Sequence, residues 1–429
     1  MVTTRGLDVA LDGQRCGTLT QTAAGDLRFE YDDEYRADRD STPLSLSMPL
    51  AVATHRRRVV LPFLQGLLPD NGEALRAIGA AYGVSPNNPF ALLEHVGADA
   101  AGAVQIVPRG VPFSDAAGAR DAARPIDDDE VAALLDRVVE QYRDGVPAGG
   151  GAGRFSLAGA QPKIALHRLP DGRWAVPLEA TPTTHILKPV AGRFRRIDVV
   201  EQVTLVAAGL LGNRVATSSL TRIAGRPVFV SERYDRIRTE AGWRRRHQED
   251  LCQALAVPPA KKYQQRDGGP GVADVQRLLA GLPIEADRRE AGERFFRALV
   301  FNVVAGCTDA HAKNYSLLLH RRRVELAPLY DLLSYAAYWN GDDRLDSAMQ
   351  VGGEYSLGRI SVAGLVASGR RFGIGGDDAE AIVEETRRSM VDGFARSAAL
   401  LGAIDDEAGR IAEELVAGVA RLPLVRDTR

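Results

Sequence analysis

The segment CTDAHAKN (307–314) lies between a helix-patterned apolar run and a hairpin-patterned one, and no other feature constrains the fold as tightly. Upstream, ERFFRALVFNVVAG sets Phe295, Leu299 and Val303 on one helical face and Phe296, Val300 and Val304 on the next. A helix apolar over so much of its surface has to be buried, and it must deliver the polar segment at its C-terminal end. Downstream, YSLLLH, RRR and VELAP read as two strands around a charged turn. Asp309 stands five positions before Asn314, and Asp331 comes in YDLLS, seventeen positions beyond Asn314. A hairpin returns its two ends to one place, so Asn314 and Asp331 are expected side by side and next to Asp309. An acid that accepts a hydroxyl proton, with an amide and a carboxylate that hold a metal on phosphates, is what phosphoryl transfer requires. Ordinary turn chemistry also produces Asp and Asn in loops, so the rest of the chain has to decide.

At 429 residues the chain should form two or three packed units. A hydrophobic content of 45% and a charged content of 26% are those of a soluble globular protein. The net charge of −2 argues against unaided coating of nucleic acid. Basic runs at Arg56 to Arg58, Arg244 to Arg246 and Arg321 to Arg323 read as solvated turns offset by nearby acids. Cys16, Cys252 and Cys307 are too few and scattered for a disulfide framework or zinc site, so Cys307 is expected as a small buried hydrophobe. No apolar run is long enough to span a bilayer and the N-terminus lacks a signal-peptide core, which points to a cytoplasmic protein and no membrane partner.

Four regions are expected. Residues 1–108 form a small mixed domain: LDVAL, the Asp12-Gly13 turn and RCGTLT make a hairpin, LRFEY a third strand, VVLPFLQGLLPD and NPFALLEHV helices, and GAVQIVP a closing strand. Residues 109–150 are a polar connector, the amphipathic helix IDDDEVAALLDRVVEQYR and a Gly-rich linker. Residues 151–258 are strand-rich, interrupted by one helix from about Asp198; residues 259–429 are helical and close with two amphipathic helices from about Asp377. The result is an α+β, two-lobed, protein-kinase-like layout with an extra N-terminal subdomain and a nucleotide in the cleft.

That layout demands further parts, and each is present in order. A small-residue loop lets backbone amides approach phosphate oxygens, and SLAGAQPK, from Ser156 to Lys163, lies between strand-like runs. An ordinary hairpin turn would look similar. Lys188 ends the apolar run THILKP, although most strand lysines are surface residues. PVFVSERYD is an apolar strand turning polar, as an adenine-binding hinge should, with Glu232, Arg233 and Tyr234 at the turn. Glu201 on the next helix is a partner for Lys188, unless it simply faces solvent.

In sum these residues resemble the HipA family of bacterial serine/threonine kinase toxins, nearly end to end. RCGTLT, STPLSLSMPL, FLQGLLPDN and GADAAGAVQIVP are similar to its N-terminal subdomain, and FSLAGAQPK, HILKP, SERYDR, HQEDLCQAL, TDAHAKN and LYDLLS to its kinase core. The resemblance implies ATP and Mg2+ as cofactors and Asp309 as proton acceptor. It implies Asn314 and Asp331 as metal ligands and Lys188 as the phosphate-contacting lysine. Ala158, Gly159, Ala160, Gln161, Pro162 and Lys163 correspond to the phosphate loop, and Glu232, Arg233 and Tyr234 to the hinge. His311, Ala312, Lys313, Asn314, Tyr330 and Asp331 line the nucleotide. Ser156 corresponds to an autophosphorylated serine, whose added charge would eject the loop from the phosphates. Pro162 departs from the family's more polar pattern.

The expected function is that of a growth-inhibiting kinase toxin acting on an aminoacyl-tRNA synthetase of the glutamate type or another translation component. A small helix-turn-helix antitoxin of the HipB type would neutralise it, and operator DNA would be met only through that complex. Arg370 and Arg371 are the nearest candidates for a DNA contact. Two alternatives stand beside it: a small-molecule or lipid kinase of related fold, and a catalytically silent co-repressor of a DNA-binding antitoxin. Retention of Asp309, Asn314 and Asp331 argues against the silent one.

Overall fold

The computed structural model describes residues 4–113, 122–145, 159–178, 181–240, 242–402 and 404–426. The chain divides into two compact units, the first of residues 1–189, 221–260 and 318–322, the second of residues 190–220, 261–317 and 323–429. The first is rich in strands and the second in helices, as an α+β kinase-like fold requires.

The second unit is built on the helix Glu285–Val304, in which Phe295, Phe296, Val300 and Val304 are fully buried. Val362–Arg371 and Gly376–Leu400 pack against it, and Asp406–Val419 packs in turn on Gly376–Leu400. The helix Ile197–Leu210 also belongs to this unit and packs on Gly376–Leu400, where Ser397 Oγ donates to the Val203 carbonyl at 2.8 Å. Its sequence neighbours are strands, and its apolar face, rather than its place in the chain, decides where it goes. Among the described residues, no helix is long and apolar enough to cross a membrane.

The first unit contains two large sheets and the two-stranded ribbon of Arg236–Thr239 with Gly242–Arg245. The five-stranded antiparallel one runs in the order Thr54–Arg56, Leu27–Tyr31, Gln14–Thr22, Thr4–Leu11, Val104–Pro108. Asp12 and Gly13 both take left-handed φ, 49° and 81°, the backbone that a two-residue hairpin needs to match strand twist. Leu7, Val9, Leu19 and Phe29 turn inward against Phe63 of the helix Arg57–Gly66 and Phe90 of Pro89–Val96. Three elements of this domain went unread in the sequence: the helix Asp33–Ala37 and the strand Thr54–Arg56 are too short to show a period, and the helix Gly72–Tyr82 carries its stripe on Leu75 and Ile78, which pack on the core, among small Ala and Gly residues.

The six-stranded sheet runs Ser218–Ile223, Arg226–Glu232, His185–Pro189, Ile164–Arg168, Trp174–Pro177, Ala123–Ile126. Its last strand comes from the stretch expected as connector; Pro125 is tolerated there because an edge strand leaves one side unpaired. The helix Asp128–Asp144 starts in a capping box, Asp127 accepting from Glu130 N at 2.8 Å, and stops at Gly145 with φ 67°. It lays Val131 and Leu135 on Leu166, Trp174 and Leu187. Two of the basic runs meet acids, though distant ones in sequence: Arg244 pairs with Asp12 at 2.8 Å, Arg321 with Asp40 at 3.3 Å and Arg323 with Asp287 at 2.8 Å; Arg245, expected in a solvated turn, instead lies in a strand and is buried.

A buried ionic cluster joins the N-terminal subdomain to the two-stranded ribbon Arg236–Thr239/Gly242–Arg245 and the segment before it. Asp99 meets Arg236 at 2.9 Å, Arg245 at 3.0 Å and the Thr183 hydroxyl at 2.7 Å. Asp235 takes Arg233 at 2.8 Å and the Gly102 N–H at 2.7 Å. Burial alone would raise the Asp99 carboxyl, but Arg236, Arg245 and Arg233 more than reverse this and hold it well below the usual carboxylate range. Burial and the adjacent Arg233 bring the Arg236 guanidinium down to about 10. Three guanidiniums against two carboxylates leave no spare anion. Asp99→Asn is therefore expected to destabilise the protein by about 3–5 kcal/mol, read from urea denaturation midpoints. Because the folded-state pKa is depressed, the Asp99 contribution is fully present above the unfolded carboxylate pKa and is lost only as pH falls through the lower folded value.

Candidate functional site

The apolar helix Glu285–Val304 ends where Cys307 N donates to the Asn302 carbonyl at 2.8 Å, and Gly306 takes φ 69° to turn the chain out. Cys307 is buried, and burial pushes its thiol up, away from the reactive thiolate. Beyond it the chain exposes Asp309 and folds back through the one-turn 3-10 helix Ala312–Asn314. The five-residue spacing has a local cause. Asn314 Nδ2 donates to the Asp309 carbonyl at 2.8 Å, and His311 N donates to the same oxygen at 2.8 Å. Committing Nδ2 fixes the sense of the amide and leaves Oδ1 as its acceptor end.

The hairpin then brings Asp331 back. Its strands are Ser316–His320 and Arg323–Leu326, and Ala327 N donates to the Ser316 carbonyl at 2.8 Å. The Tyr330 hydroxyl donates to the Lys313 carbonyl at 2.9 Å and meets Ser316 Oγ at 2.6 Å, tying the residue before Asp331 to the residue before Asn314. Asp331 itself has φ 56°, a left-handed conformation costly for a side chain larger than glycine and concentrated at functional positions. The Asp309 carboxyl is raised, first by withdrawal from water and then by the charge of Asp331, against the lowering effects of Tyr263, Lys262 and Arg266.

An amide oxygen and a carboxylate oxygen are hard donors of the type magnesium takes while it keeps waters and phosphate oxygens in its remaining positions. Among the described residues no three or more His, Cys, Asp and Glu gather into a metal cluster. The donor set therefore fits a metal that arrives with its nucleotide, and not a metal caged by protein alone.

In the first unit, Lys188 lies on the strand His185–Pro189 opposite Phe229, with Nζ 5.3 Å from that ring's centroid, and only 9% of the residue is exposed. Gly159 takes φ 118° and its carbonyl accepts from Asp70 N at 3.1 Å; an added Cβ would lie 2.4 Å from Lys163 Nζ, so the lysine folds over the glycine. Ala160, Gln161 and Pro162 continue this bend. Ser156 and Ala158 lie outside the described residues. Of the three hinge residues, Glu232 closes its strand opposite His185 and is exposed. Tyr234 OH donates to the Gln248 side chain. The Arg233 guanidinium is committed to Asp235 and Asp99, and its N–H to the Thr184 carbonyl at 2.9 Å. The expected nucleotide contact at Arg233 therefore does not come from its side chain, which serves the buried cluster. In the second unit, Glu201 is buried, not solvent-facing.

Sequence reasoning missed one neighbour of Asp309. Tyr263 OH donates to Asp309 Oδ1, and its ring stands edge-to-face on His311 at 4.7 Å. Tyr263 precedes Asp309 by 46 positions, across a long helix, and no spacing rule connects them.

Comparison with known proteins adds lineage to this geometry. Residues 155–394 match the HipA-like C-terminal domain and residues 7–107 the HipA N-terminal domain. The chain is 38% identical to the Sinorhizobium fredii protein Y4mE over 378 residues, 87% of each chain. It is 30% identical to the serine/threonine-protein kinase toxin HipA of Shewanella oneidensis over 372 residues, 84% of this chain and 82% of that one. A solved structure of the Shewanella oneidensis MR-1 toxin–antitoxin system, HipA with HipB and its operator DNA, superposes with a TM-score of 0.79 at 26% identity, covering 99% of this chain and 100% of that one. With both domains matched in tandem and the catalytic-loop residues in place, the chain belongs to the HipA family.

Proposed function

We propose that this protein is an ATP- and magnesium-dependent serine/threonine kinase that acts in the cytoplasm as a growth-inhibiting toxin. The observation that carries the reading is the gathering of Asp309, Asn314 and Asp331 by one helix end and one hairpin. Asp309 accepts the proton of the attacking Ser or Thr hydroxyl, and its raised basicity suits that task. Asn314 Oδ1 and an Asp331 carboxylate oxygen would hold the ion, which when bound offsets charge on the nucleotide phosphates. Lys188 and the backbone from Gly159 to Lys163 are assigned to the phosphates, the segment from Glu232 to Tyr234 to the base, and Ser156 to autophosphorylation. By analogy with the relative solved with HipB and operator DNA, a small DNA-binding antitoxin is the neutralising partner. The acceptor protein is assigned to the translation machinery, with a glutamate-type aminoacyl-tRNA synthetase first among candidates.

Positioning and electrostatics supply nearly all catalysis in this chemistry, so Asp309→Gln is expected to cost roughly three orders of magnitude or more. Labelled phosphate transfer from ATP and growth inhibition on induction should both vanish while the thermal transition is kept. Transfer at the parental rate by that variant sinks the reading. Chelation by EDTA is expected to abolish transfer, and added magnesium to restore it. Phosphopeptide mass spectrometry after brief induction tests the acceptor class: a lipid or small-molecule kinase leaves no new phosphopeptides.

A further inference from the structure

We infer that Tyr263 is a positioning residue for Asp309, holding the carboxylate through Oδ1 so that its other oxygen is presented to the acceptor hydroxyl. The inference rests on the reading of Asp309 as proton acceptor given above. Its basis is how completely the phenol is fixed. Lys262, the preceding residue, accepts at its carbonyl from Ala312 N at 3.4 Å, which joins the segment to the catalytic loop itself. The Tyr263 carbonyl takes two N–H groups, from Asp267 at 3.2 Å and Gly269 at 3.0 Å. That turn closes only because residue 269 lacks a side chain, since a Cβ there would lie 1.9 Å from the Lys261 carbonyl oxygen. Gln264 is pinned in turn, its Oε1 accepting from Gln350 N at 2.7 Å.

The ring is held from two directions. His311 meets it edge-to-face at 4.7 Å, and the Arg266 guanidinium lies 4.3 Å from its centroid while bonded to Asp267 at 2.9 Å. A side chain locked by packing and by a supporting shell of hydrogen bonds is how reacting groups are kept in productive geometry. Burial and the nearby Asp309 charge raise the phenol, so it stays a protonated donor at neutral pH. As a residue Asp309 keeps an exposed face although its carboxyl is largely withdrawn from water, so the phenol orients the carboxylate without sealing it off.

Tyr263→Phe tests this, because it removes one oxygen and keeps the ring against His311 and Arg266. The expected result, from labelled phosphate transfer to self or to casein, is a kcat about 10- to 100-fold lower with KM for ATP within about twofold. The thermal transition should not move. In an Asp309→Asn background the same substitution should change nothing further. Arg266→Gln keeps the hydroxyl and loosens the clamp, and a smaller drop in kcat is expected; it carries the test if Tyr263→Phe fails to fold. An unchanged kcat in both variants overturns the inference, and a raised kcat does so too, since the phenol would then be competing with the acceptor. Activity in Asp309→Asn itself overturns the base assignment instead. An inactive Asp309→Asn beside a fully active Tyr263→Phe removes only the role of Tyr263.

Discussion

The burial of the helix Glu285–Val304 is the constraint on which the catalytic loop depends. Phe295, Phe296, Leu299, Val300, Val303 and Val304 are each at most 3% exposed. Six such side chains contribute on the order of 10 kcal/mol of transfer free energy. That is comparable with the whole net stability of a typical domain. The second unit therefore cannot form with this helix displaced, and the helix end cannot wander. The segment beyond it opens at Gly306 and is polar, so it turns toward solvent within a few residues of the core. A flexible, solvated acid becomes a fixed one because it hangs from the most buried element of its unit.

The loop beyond that helix uses the same groups for architecture and for the proposed chemistry, but unequally. Asn314 spends Nδ2 on the Asp309 carbonyl, so a change at Asn314 opens the loop as well as removing a ligand atom. At Asp309 it is the carbonyl that holds the loop, through Asn314 and His311, while the carboxylate makes no bond on which the turn depends. Substitutions at Asp309 thus separate chemistry from folding, and those at Asn314 do not. Tyr330 behaves like Asn314. Its hydroxyl clasps Lys313 and Ser316, so its ring position next to Asp331 is set by the hairpin's closure.

How much of this was legible depends on whether the cause is local. The Asp12-Gly13 hairpin, the amphipathic helix Asp128–Asp144, the buried helix and the hairpin that returns Asp331 are each written within a couple of dozen neighbouring residues, and the sequence shows them. The helix Ile197–Leu210 was legible as a helix but not as a member of the second unit, because its destination is set by the face it presents to Gly376–Leu400. The helix Gly72–Tyr82 escaped notice because its stripe rests on only two larger side chains, Leu75 and Ile78, set among Ala and Gly. Asp99 with Arg233, Arg236 and Arg245, and Tyr263 with Asp309, are pairings across 46 to 146 positions. Nothing in a single chain of letters marks such pairs, since a buried arginine and a surface arginine are spelled alike.

Two perturbed aspartates, Asp99 and Asp309, show how one residue type is put to opposite uses. Asp99 is buried among three guanidiniums and is held well below the ordinary carboxylate range, so its charge is fully compensated and its contribution is to stability. Asp309 sits near a second carboxylate, Asp331, and is raised. Around the first, every local preference agrees. Around the second, like charges are kept together, and Asp331 is held in a backbone conformation it does not favour. Conflicts of this sort survive only where the surroundings over-determine the geometry, as the buried helix and the Tyr330 clasp do here.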